Sequence, residues 1–449
     1  MSSMHSAYMI QWQKTGVANV AGEIALAAGL MMWVSSIPRI RRKMFELFYY
    51  THHLYFIFLI FFLLHVGISF FFYVLPGVFL FLVDRFLRFL QSKRNVRLVS
   101  ARLLPCQAVE LNFSKSPRLE YTPTSIVFIN VPSISGLQWH PFTVTSSSNM
   151  EPDKLSVLIK SEGSWTRKLY QALCSPSDPI HRLAVSIEGP YGPTSTHFLR
   201  HDALVMVSGG SGITPFISII RELIFQSTKH PQANSVLPRR ILLISAFKNS
   251  QDLTMLNLLL PMPTNPPYSH VINNKNNIAH INLQIEAFVT REKEPKNNNN
   301  NIIADDHAHG LCTFKPRPSD EAIAPMPGGL WLGAIVAISF ISYLILLALL
   351  NRFYIYPIDH NTNKIYSYTL KSLFSVLFIC ISIAAVAAAA LLLWNKKQDA
   401  MISDSEQHDQ QEQEEELESF PQQSLADATK LHFGARPDLK SKTDLSPYD

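Results

Sequence analysis

Charged residues are scarce in this sequence. Asp, Glu, Lys and Arg make up only 16% of the 449 residues, whereas hydrophobic residues make up 47% and the mean hydropathy is +0.10. This balance excludes an ordinary soluble enzyme and predicts membrane-spanning helices. The formal net charge is only +5. Because the basic residues cluster beside hydrophobic runs instead of forming a stripe, no nucleic-acid partner is expected.

Cysteine is equally scarce. Cys106, Cys174, Cys312 and Cys380 show neither a CxxC pair nor the spacing of zinc ligands. This pattern excludes a disulfide framework and predicts unpaired thiols that face cytosol or lipid. The first residues also lack the basic stretch and cleavage site of a secretory signal.

Five stretches have the length and apolarity of bilayer spans, which need about 20 residues. They are residues 17–37, 45–72, 73–90, 330–350 and 372–394. The first is the least apolar because it is rich in Ala and Gly and contains Glu23. Basic clusters at residues 39–43 and 93–97 are expected on the cytosolic side, which places the N-terminus outside. The last two spans are then predicted to form a hairpin with a short outer loop.

The segment between these spans changes character at about residue 200. Short β-type runs at residues 96–103, 108–113, 125–131, 155–159 and 183–187 predict a small antiparallel barrel. From residue 201 a strand–helix–strand pattern predicts an α/β domain, with residues 240–247 as its second parallel strand. The asparagine run at 297–301 and the Gln/Glu-rich stretch at 403–418 are typical of disordered linkers.

Two motifs stand in a fixed order in this soluble part. HPFTVTSS at residues 140–147 combines a rigid Pro turn, an aromatic ring and hydroxyl groups, which suits a flavin. SGGSGITP at 208–215 lies between two apolar runs and predicts a strand, a glycine turn and a helix. Such a turn brings backbone N–H groups and a helix N-terminus to a pyrophosphate. The candidate nucleotide-binding residues are Gly209, Gly210, Gly212, Thr214 and Pro215.

Three further positions allow two interpretations each. Gly163, Ser164, Trp165 and Thr166 open a predicted helix, either as a cradle for the flavin pyrophosphate or as a simple cap. Gly189, in the segment GPYGP at 189–193, either borders the nicotinamide entrance or belongs to a plain loop. Lys248 follows the second parallel strand and either meets the 2′-phosphate of NADPH or is a solvated lysine.

Histidines mark both ends of the most apolar span. His52 and His65 are 13 residues apart, or about 20 Å along a helix axis. This separation suits two haem irons stacked across one bilayer, although the two rings would lie on different faces of an ideal helix. Using His53 instead of His52 does not repair this. Interfacial or packed histidines remain the alternative.

These motifs together resemble one superfamily. THHLYFIFLIFFLLH (51–65), VDRFLRF (83–89), HPFTVTSSS, IEGPYGP (187–193) and SGGSGITPF are similar to sequences of ferric reductases and NADPH oxidases, and especially of plant ferric-chelate reductases, the ferric reduction oxidases. The resemblance implies that His52 and His65 bind haem b as metal ligands. It also implies that His140, Pro141, Phe142 and Thr143 line the isoalloxazine of FAD, with Thr145 and Ser146 near its ribityl or phosphate groups.

The resemblance implies a multi-domain architecture: a partial haem-binding membrane domain at residues 1–92, an FAD-binding barrel at 93–200, and an NADPH-binding α/β domain at 201–449 interrupted by a transmembrane hairpin at 330–394. Both ends are expected to be truncated, because the family's second haem-ligating helix and its Cys-Gly-Pro strand are not found in the sequence. His5 is the one further histidine of the N-terminal region.

The implied activity is oxidoreduction. Electrons would pass from cytosolic NADPH through FAD and haem b to ferric chelates, or to cupric ion, across what is expected to be the plasma membrane. One alternative is a superoxide-producing NADPH oxidase, against which the extra hairpin counts. The other is a non-catalytic membrane subunit that associates with a full-length reductase or with a partner that supplies the missing helix.

Overall fold

A computed structural model describes residues 18–92, 94–174, 183–192, 198, 201–229, 238, 240–259, 277–278, 281–293, 311–314, 320–325, 329–361, 365–406 and 428–439. They form two compact units. The membrane unit contains residues up to Leu90 and those of Pro327–Glu412, and the soluble unit contains Gln91–Met326 and Gln413–Asp449. His5, the asparagine run at 297–301 and residues 407–418 of the second predicted linker lie outside the described residues.

The described helices are α1 (Asn19–Ser36), α2 (Pro38–Lys43), α3 (Phe45–His52), α4 (Tyr55–Ser92), α5 (Ser164–Cys174), α6 (Thr214–Lys229), α7 (Gly329–Leu350), α8 (Tyr356–Asn361) and α9 (Tyr368–Glu406). The described strands are β1 (Leu98–Leu104), β2 (Ala108–Ser114), β3 (Ile126–Asn130), β4 (His140–Thr143), β5 (Lys154–Lys160), β6 (Ser186–Tyr191), β7 (Ala203–Gly209), β8 (Arg240–Phe247), β9 (Asn277–Ile278), β10 (Ile281–Val289), β11 (Leu311–Thr313) and β12 (Thr429–Phe433).

Within the described residues, four helical stretches are long and apolar enough to cross a membrane: Phe45–Gly67, Phe70–Ser92, Gly329–Asn361 and Tyr368–Trp394. The fifth predicted span, residues 17–37, forms the 18-residue helix α1 but is not among these four. Its alanines, its glycines and Glu23 lower its apolarity. α1 therefore adds to the membrane unit without reaching the apolarity of the other spans.

The boundary between the second and third spans differs from the prediction. The sequence placed it at residues 72–73, next to Pro76 and Gly77. In the structure the break is at Gly67, whose φ of 73° and ψ of 173° interrupt α4, whereas Pro76 lies inside the helix. Only glycine adopts this backbone conformation without strain. Proline is tolerated inside membrane helices because neighbouring groups satisfy the freed carbonyl.

The predicted hairpin is confirmed. α7 and α9 pack together in a buried cluster that includes Ile335, Tyr343, Ile379 and Ile383. At one end the rings of Trp331 and Trp394 lie 5.6 Å apart. At the other end the Asp359 carboxylate accepts hydrogen bonds from the backbone N–H of Tyr366 at 2.7 Å and from Lys371 Nζ at 3.3 Å. Both ends of the hairpin are thus held by side-chain contacts.

The first half of the soluble unit is the predicted antiparallel barrel. Its two sheets have the strand orders β11-β1-β2-β5 and β4-β3-β6. A bridge between Val144 and Val157 and a hydrogen bond from Val96 N–H to the Val185 carbonyl connect them. Their inward residues share one apolar core. The five predicted runs correspond to β1, β2, β3, β5 and β6.

Two features of the barrel differ from the prediction. HPFT, expected to be a Pro turn, is the strand β4 at the edge of its sheet. An edge strand tolerates proline because one side of its backbone needs no partner. Second, residues 311–325 were assigned to the α/β domain. In the structure β11 pairs with β1, and Glu321 and Ile323 form bridges with Val96 and Lys115, so the described residues 311–314 and 320–325 belong to the barrel.

The second half of the soluble unit is the predicted α/β domain. Its parallel strands follow the order β12-β10-β8-β7, and β9 lies antiparallel to β10. The chain inserts the membrane hairpin between β10 and β12, which are neighbours in this sheet. The predicted multi-domain fold class is therefore confirmed. Because the strands are parallel, their carboxyl ends meet at one edge, where such sheets bind ligands.

Candidate functional site

The strand β4 presents two different faces. On one face the rings of His140 and Phe142 contact the indole of Trp165, with ring centroids 4.5 and 6.1 Å apart. Trp165 is only 3% exposed, so it supports the strand from within the barrel. Pro141 and Thr143 alternate to the opposite face, and Pro141 is exposed. Burial lowers the pKa of His140, so its imidazole is neutral near pH 7.

The two hydroxyl residues after this strand lie in the interior. Thr145 and Ser146 are both 0% exposed. Ser146 Oγ is 2.6 Å from the Tyr121 hydroxyl and accepts the backbone N–H of Ser156 at 2.9 Å. The chain turns inward directly after β4, and the expectation that both hydroxyls lie near the flavin stays a prediction. Ser146 ties the segment to its neighbouring strand.

The predicted phosphate cradle is an exposed helix N-terminus. Thr166 Oγ1 accepts the backbone N–H groups of Glu162 at 3.1 Å and of Gly163 at 2.9 Å, so it caps the turn before α5. Arg167 Nη2 donates to the Glu162 carbonyl at 3.3 Å. Gly163, Ser164 and Arg167 are all exposed. The structure therefore shows that Thr166 caps the turn. Phosphate binding at this exposed helix N-terminus stays a prediction.

Gly189 occupies a position that requires glycine. Its φ is +115°, and a Cβ there would lie 3.1 Å from the Ile126 carbonyl oxygen. The Gln91 side chain forms two hydrogen bonds with this residue. Its Nε2 donates to the Gly189 carbonyl at 2.8 Å, and its Oε1 accepts the Gly189 N–H at 3.3 Å. Gly189 thus belongs to β6 and not to a plain loop, while Pro193 lies outside the described residues.

The glycine turn has the predicted context. β7 ends at Gly209, a 3₁₀ turn covers Gly210–Ile213, and α6 begins at Thr214 with Pro215 in its first turn. A Cβ added at Gly209, Gly210 or Gly212 would meet no atom within 4 Å. Gly210 also has a φ of +55°. Packing therefore does not explain these glycines, and the space beside them is open to a ligand.

Three exposed cations follow the carboxyl ends of neighbouring strands. Lys248 comes directly after β8, Arg291 after β10 and Arg436 after β12. Parallel pairing brings these strand ends to the edge that carries the glycine turn. Their positive charges would attract an anionic ligand to this edge. The sequence pointed to Lys248 only.

A buried polar cluster that the sequence did not predict joins α6 to the barrel. Arg221, 2% exposed, donates to the Leu258 carbonyl at 2.6 Å and to Glu151 Oε2 at 3.1 Å. Glu222 accepts Ser147 Oγ at 2.6 Å and Asn149 Nδ2 at 2.8 Å. The adjacent Arg-Glu pair inside the apolar run of α6 was the available signal. We call these six residues the polar seam.

The histidines of the membrane unit differ in their surroundings. His65 is partly buried, and its Nδ1 lies 3.0 Å from the Ala18 carbonyl oxygen. It lines an open groove of about 640 Å³ with Phe62, Val66, Phe70, Tyr73 and Val74. His52 is exposed, with its ring 5.0 Å from that of Phe48. The helix breaks between α3 and α4 at residues 53–54, so ideal-helix rotation does not fix the relative orientation of the two rings.

Sequence comparison agrees with this arrangement. Family models match the chain as a ferric reductase like transmembrane component over residues 2–63, an FAD-binding domain over 93–195 and a ferric reductase NAD binding domain over 201–337. The chain is 52% identical to ferric reduction oxidase 2 of Arabidopsis thaliana, in a match covering 98% of this chain and 60% of that protein. It is 51% identical to probable ferric reduction oxidase 1 of the same species, over 96% of this chain and 59% of that protein.

The chain belongs to the ferric reductase family. A more distant relative is a superoxide-generating NADPH oxidase heavy chain of Dictyostelium discoideum, 32% identical over 49% of this chain and 45% of that protein. The chain spans about 60% of the length of the curated ferric reduction oxidases it matches.

The chain is an integral membrane protein with FAD-binding and NAD-binding domains. The matched FAD-binding region contains β1 to β6, and the matched NAD-binding region contains the glycine turn and extends into α7. Residues 311–314 and 320–325, which belong to the barrel, lie inside the region matched as NAD-binding. Part of the matched NAD-binding region therefore belongs structurally to the barrel, although it follows the α/β strands in the sequence.

Proposed function

We propose that this chain is the electron-transferring part of a membrane ferric-chelate reductase that uses cytosolic NADPH. The observation that carries the proposal is the open glycine turn at the start of α6, in the same unit as the barrel that presents HPFT. When bound, NADPH supplies a hydride, FAD converts a two-electron donor into one-electron steps, and haem iron carries single electrons. The residues of the chain bind and orient these groups.

The nucleotide is proposed to bind at the carboxyl edge of the parallel sheet. Gly209, Gly210 and Gly212 leave open space for its pyrophosphate beside the N-terminus of α6, which attracts anions. Thr214 and Pro215 start that helix. Lys248 is proposed to contact the 2′-phosphate, since it is exposed at the same edge.

The flavin is proposed to lie against β4. His140, Pro141, Phe142 and Thr143 are proposed to form this site, with Pro141 and Thr143 on the face turned away from Trp165 and with His140 and Phe142 packed against Trp165 behind them. Gly163, Ser164 and Thr166 provide the exposed helix N-terminus for its phosphates, and Gly189 borders the nicotinamide side. Thr145 and Ser146 are proposed to support β4 from the interior, because both are fully buried.

The membrane unit fits a haem at His65. The donor is an imidazole inside a lipid span, beside an open groove lined by aromatic and branched apolar side chains. The volume of this groove, about 640 Å³, is large enough for a cofactor. His52 is proposed as the ligand of a second haem. A membrane-embedded ionisable side chain is by default a functional group.

The proposed location is the plasma membrane, with the soluble unit in the cytosol. Support comes from Arg39, Arg41, Arg42 and Lys43, which lie beside the membrane helices as the positive-inside rule expects for a cytosolic segment. Imaging of a tagged chain tests this, and labelling of an internal membrane alone would contradict it.

The activity test uses the purified full chain in liposomes that enclose a ferric chelate and a ferrous-specific chromophore. External NADPH is expected to reduce the enclosed iron in wild type, but not in Gly209→Val, whose side chain would occupy the open turn. Gly333→Ala is the matched control, because a Cβ there also meets no atom within 4 Å. Flavin and haem per chain are quantified in the same preparations.

Each other outcome points elsewhere. Superoxide release with enclosed iron left oxidised would favour the oxidase, as in the Dictyostelium relative's name. A chain that inserts in the membrane but binds neither flavin nor haem would favour a non-catalytic role. Loss of iron reduction in Gly333→Ala as well as in Gly209→Val would contradict the assigned nucleotide site.

A further inference from the structure

His65 is held by a helix other than its own. Its Nδ1 lies 3.0 Å from the carbonyl oxygen of Ala18, which is 47 residues away in the chain. A carbonyl oxygen can only accept, so the imidazole donates through Nδ1–H. Ala18 is the N-cap of α1 and is fully buried. Its carbonyl also accepts the backbone N–H of Gly22 at 3.3 Å, so the histidine uses the remaining lone pair.

Gly22 makes this contact possible. A Cβ at Gly22 would lie 2.6 Å from both Cε1 and Nδ1 of His65. Real side chains do not approach so closely, so any larger residue must displace the ring or the helix. Ala18 and Gly22 are four residues apart and therefore lie on the same face of α1. Glycine inside a helix costs about 1 kcal/mol relative to alanine, and the close approach of the imidazole accounts for its presence.

A neighbouring glycine provides the comparison. Gly29 lies on the same helix, and a Cβ there would lie 3.3 Å from Cε2 of Phe58. Both glycines therefore face residues of α4. Only Gly22 faces a ring that has a nitrogen to orient.

We propose that the Ala18 carbonyl and Gly22 form a seat that fixes the ring orientation and the Nδ1–H tautomer of His65. The lone pair of the neutral ring then resides on Nε2, the nitrogen left for an iron. Metal-binding histidines usually donate their second ring N–H to such an acceptor, which sets the tautomer and raises the basicity of the ligand. Gly22 is thus a positioning residue for haem ligation, an inference that rests on the proposed function.

The tautomer is measured first, in haem-free full chain in nanodiscs at pH 8. Histidine labelled with ¹⁵N distinguishes Nδ1–H from Nε2–H by chemical shift, and His65→Gln identifies the signal. Wild type and Gly29→Ala are expected to show Nδ1–H. Gly22→Ala is expected to show a mixture or Nε2–H. Nε2–H in wild type, or an unchanged tautomer in Gly22→Ala, would overturn the seat.

The haem-loaded protein supplies the second measurement. Gly22→Ala is expected to lower haem affinity at His65 by about 10- to 100-fold, the usual effect of losing such an outer partner. It should also shift the midpoint potential of that haem, whereas Gly29→Ala should do neither. Because alanine favours helix more than glycine does, weaker helix formation cannot explain a loss. Equal losses in both variants would contradict the seat.

The two proposals fail separately. Absence of haem in wild type would refute haem ligation by this chain, while the tautomer measurement would still decide whether the seat exists. Haem bound in wild type with an unaltered potential in Gly22→Ala would refute the seat alone.

Discussion

The start and the middle of α6 differ in how closely other atoms surround them. At its start, Gly209, Gly210 and Gly212 have no atom within 4 Å of an added Cβ. Two turns later, Arg221 and Glu222 are buried and hydrogen bonded to the segment that follows β4. The start of α6 is therefore open, as the proposed nucleotide site requires, and its middle is closed by the polar seam. The polar seam holds α6 against the segment that follows β4.

The polar seam should determine stability. We expect Arg221→Met to lower the free energy of unfolding by about 3–5 kcal/mol, because it leaves buried carboxylates without their cation. Urea unfolding followed by tryptophan fluorescence measures this, and NADPH affinity per folded molecule should change less than twofold. Arg85→Met is the control, since Arg85 forms an exposed pair with Asp84 and should cost less than about 1 kcal/mol. If Arg221→Met lowered the free energy of unfolding no more than Arg85→Met, the polar seam would not be the stabilising contact that we expect.

A substitution at Gly210 should lower both stability and NADPH affinity. Its φ of +55° should make Gly210→Ala cost about 1–2 kcal/mol of stability. The added methyl group also enters the ligand space, so NADPH affinity measured by calorimetry should fall at least about tenfold, or about 1.4 kcal/mol. Unchanged affinity would mean that the pyrophosphate does not approach this peptide.

A substitution at Gly209 should lower NADPH affinity with little effect on stability. Its backbone is extended, with φ of −135°, so alanine is tolerated there without strain. We expect Gly209→Ala to change stability by less than about 0.5 kcal/mol, while NADPH affinity falls about tenfold. Thermal unfolding and calorimetry on the same preparation measure both quantities. If Gly209→Ala lost stability but retained NADPH affinity, the start of α6 would not be an open ligand site.

The smallest expected effect concerns pH. Burial lowers the pKa of His140 below its usual 6.5, so the unfolded chain takes up a proton before the folded one does. The free energy of unfolding should therefore decrease as pH falls below about 6.5, by at most about 1.4 kcal/mol per pH unit for one proton. In His140→Asn this part of the pH dependence should disappear. An unchanged pH profile in that variant would assign the effect to another group.

Much of the soluble fold could be predicted because its signals are local. Residues 240–247 form β8 as predicted, and the strand–glycine–helix context of residues 203–229 follows from two apolar runs and their glycines. HPFT was harder, because a proline inside an edge strand looks like a turn until its partner strand is known. The break at Gly67, instead of at Pro76, depends on the backbone conformation of a single residue.

The polar seam and the seat of His65 depend on long-range contacts. Arg221 and Glu151 are 70 residues apart, and His65 and Ala18 are 47 apart. No periodicity in one helix indicates which carbonyl or carboxylate will face it. The inward turn after β4 likewise buries Thr145 and Ser146, although hydroxyl residues beside a binding motif usually suggest ligand contact.

The pairing of β11 with β1 has a consequence for biosynthesis. β1 leaves the ribosome roughly 200 residues before β11, and at about 5–20 residues per second this delay lasts on the order of 10–40 s. Throughout that time one edge of β1 has no partner, and an open strand edge is a template for pairing with other chains. The barrel can therefore be finished only after the strands β7 to β10 have been translated and just before the hairpin enters the membrane. A ribosome that stalls before residue 311 would release a chain prone to aggregation.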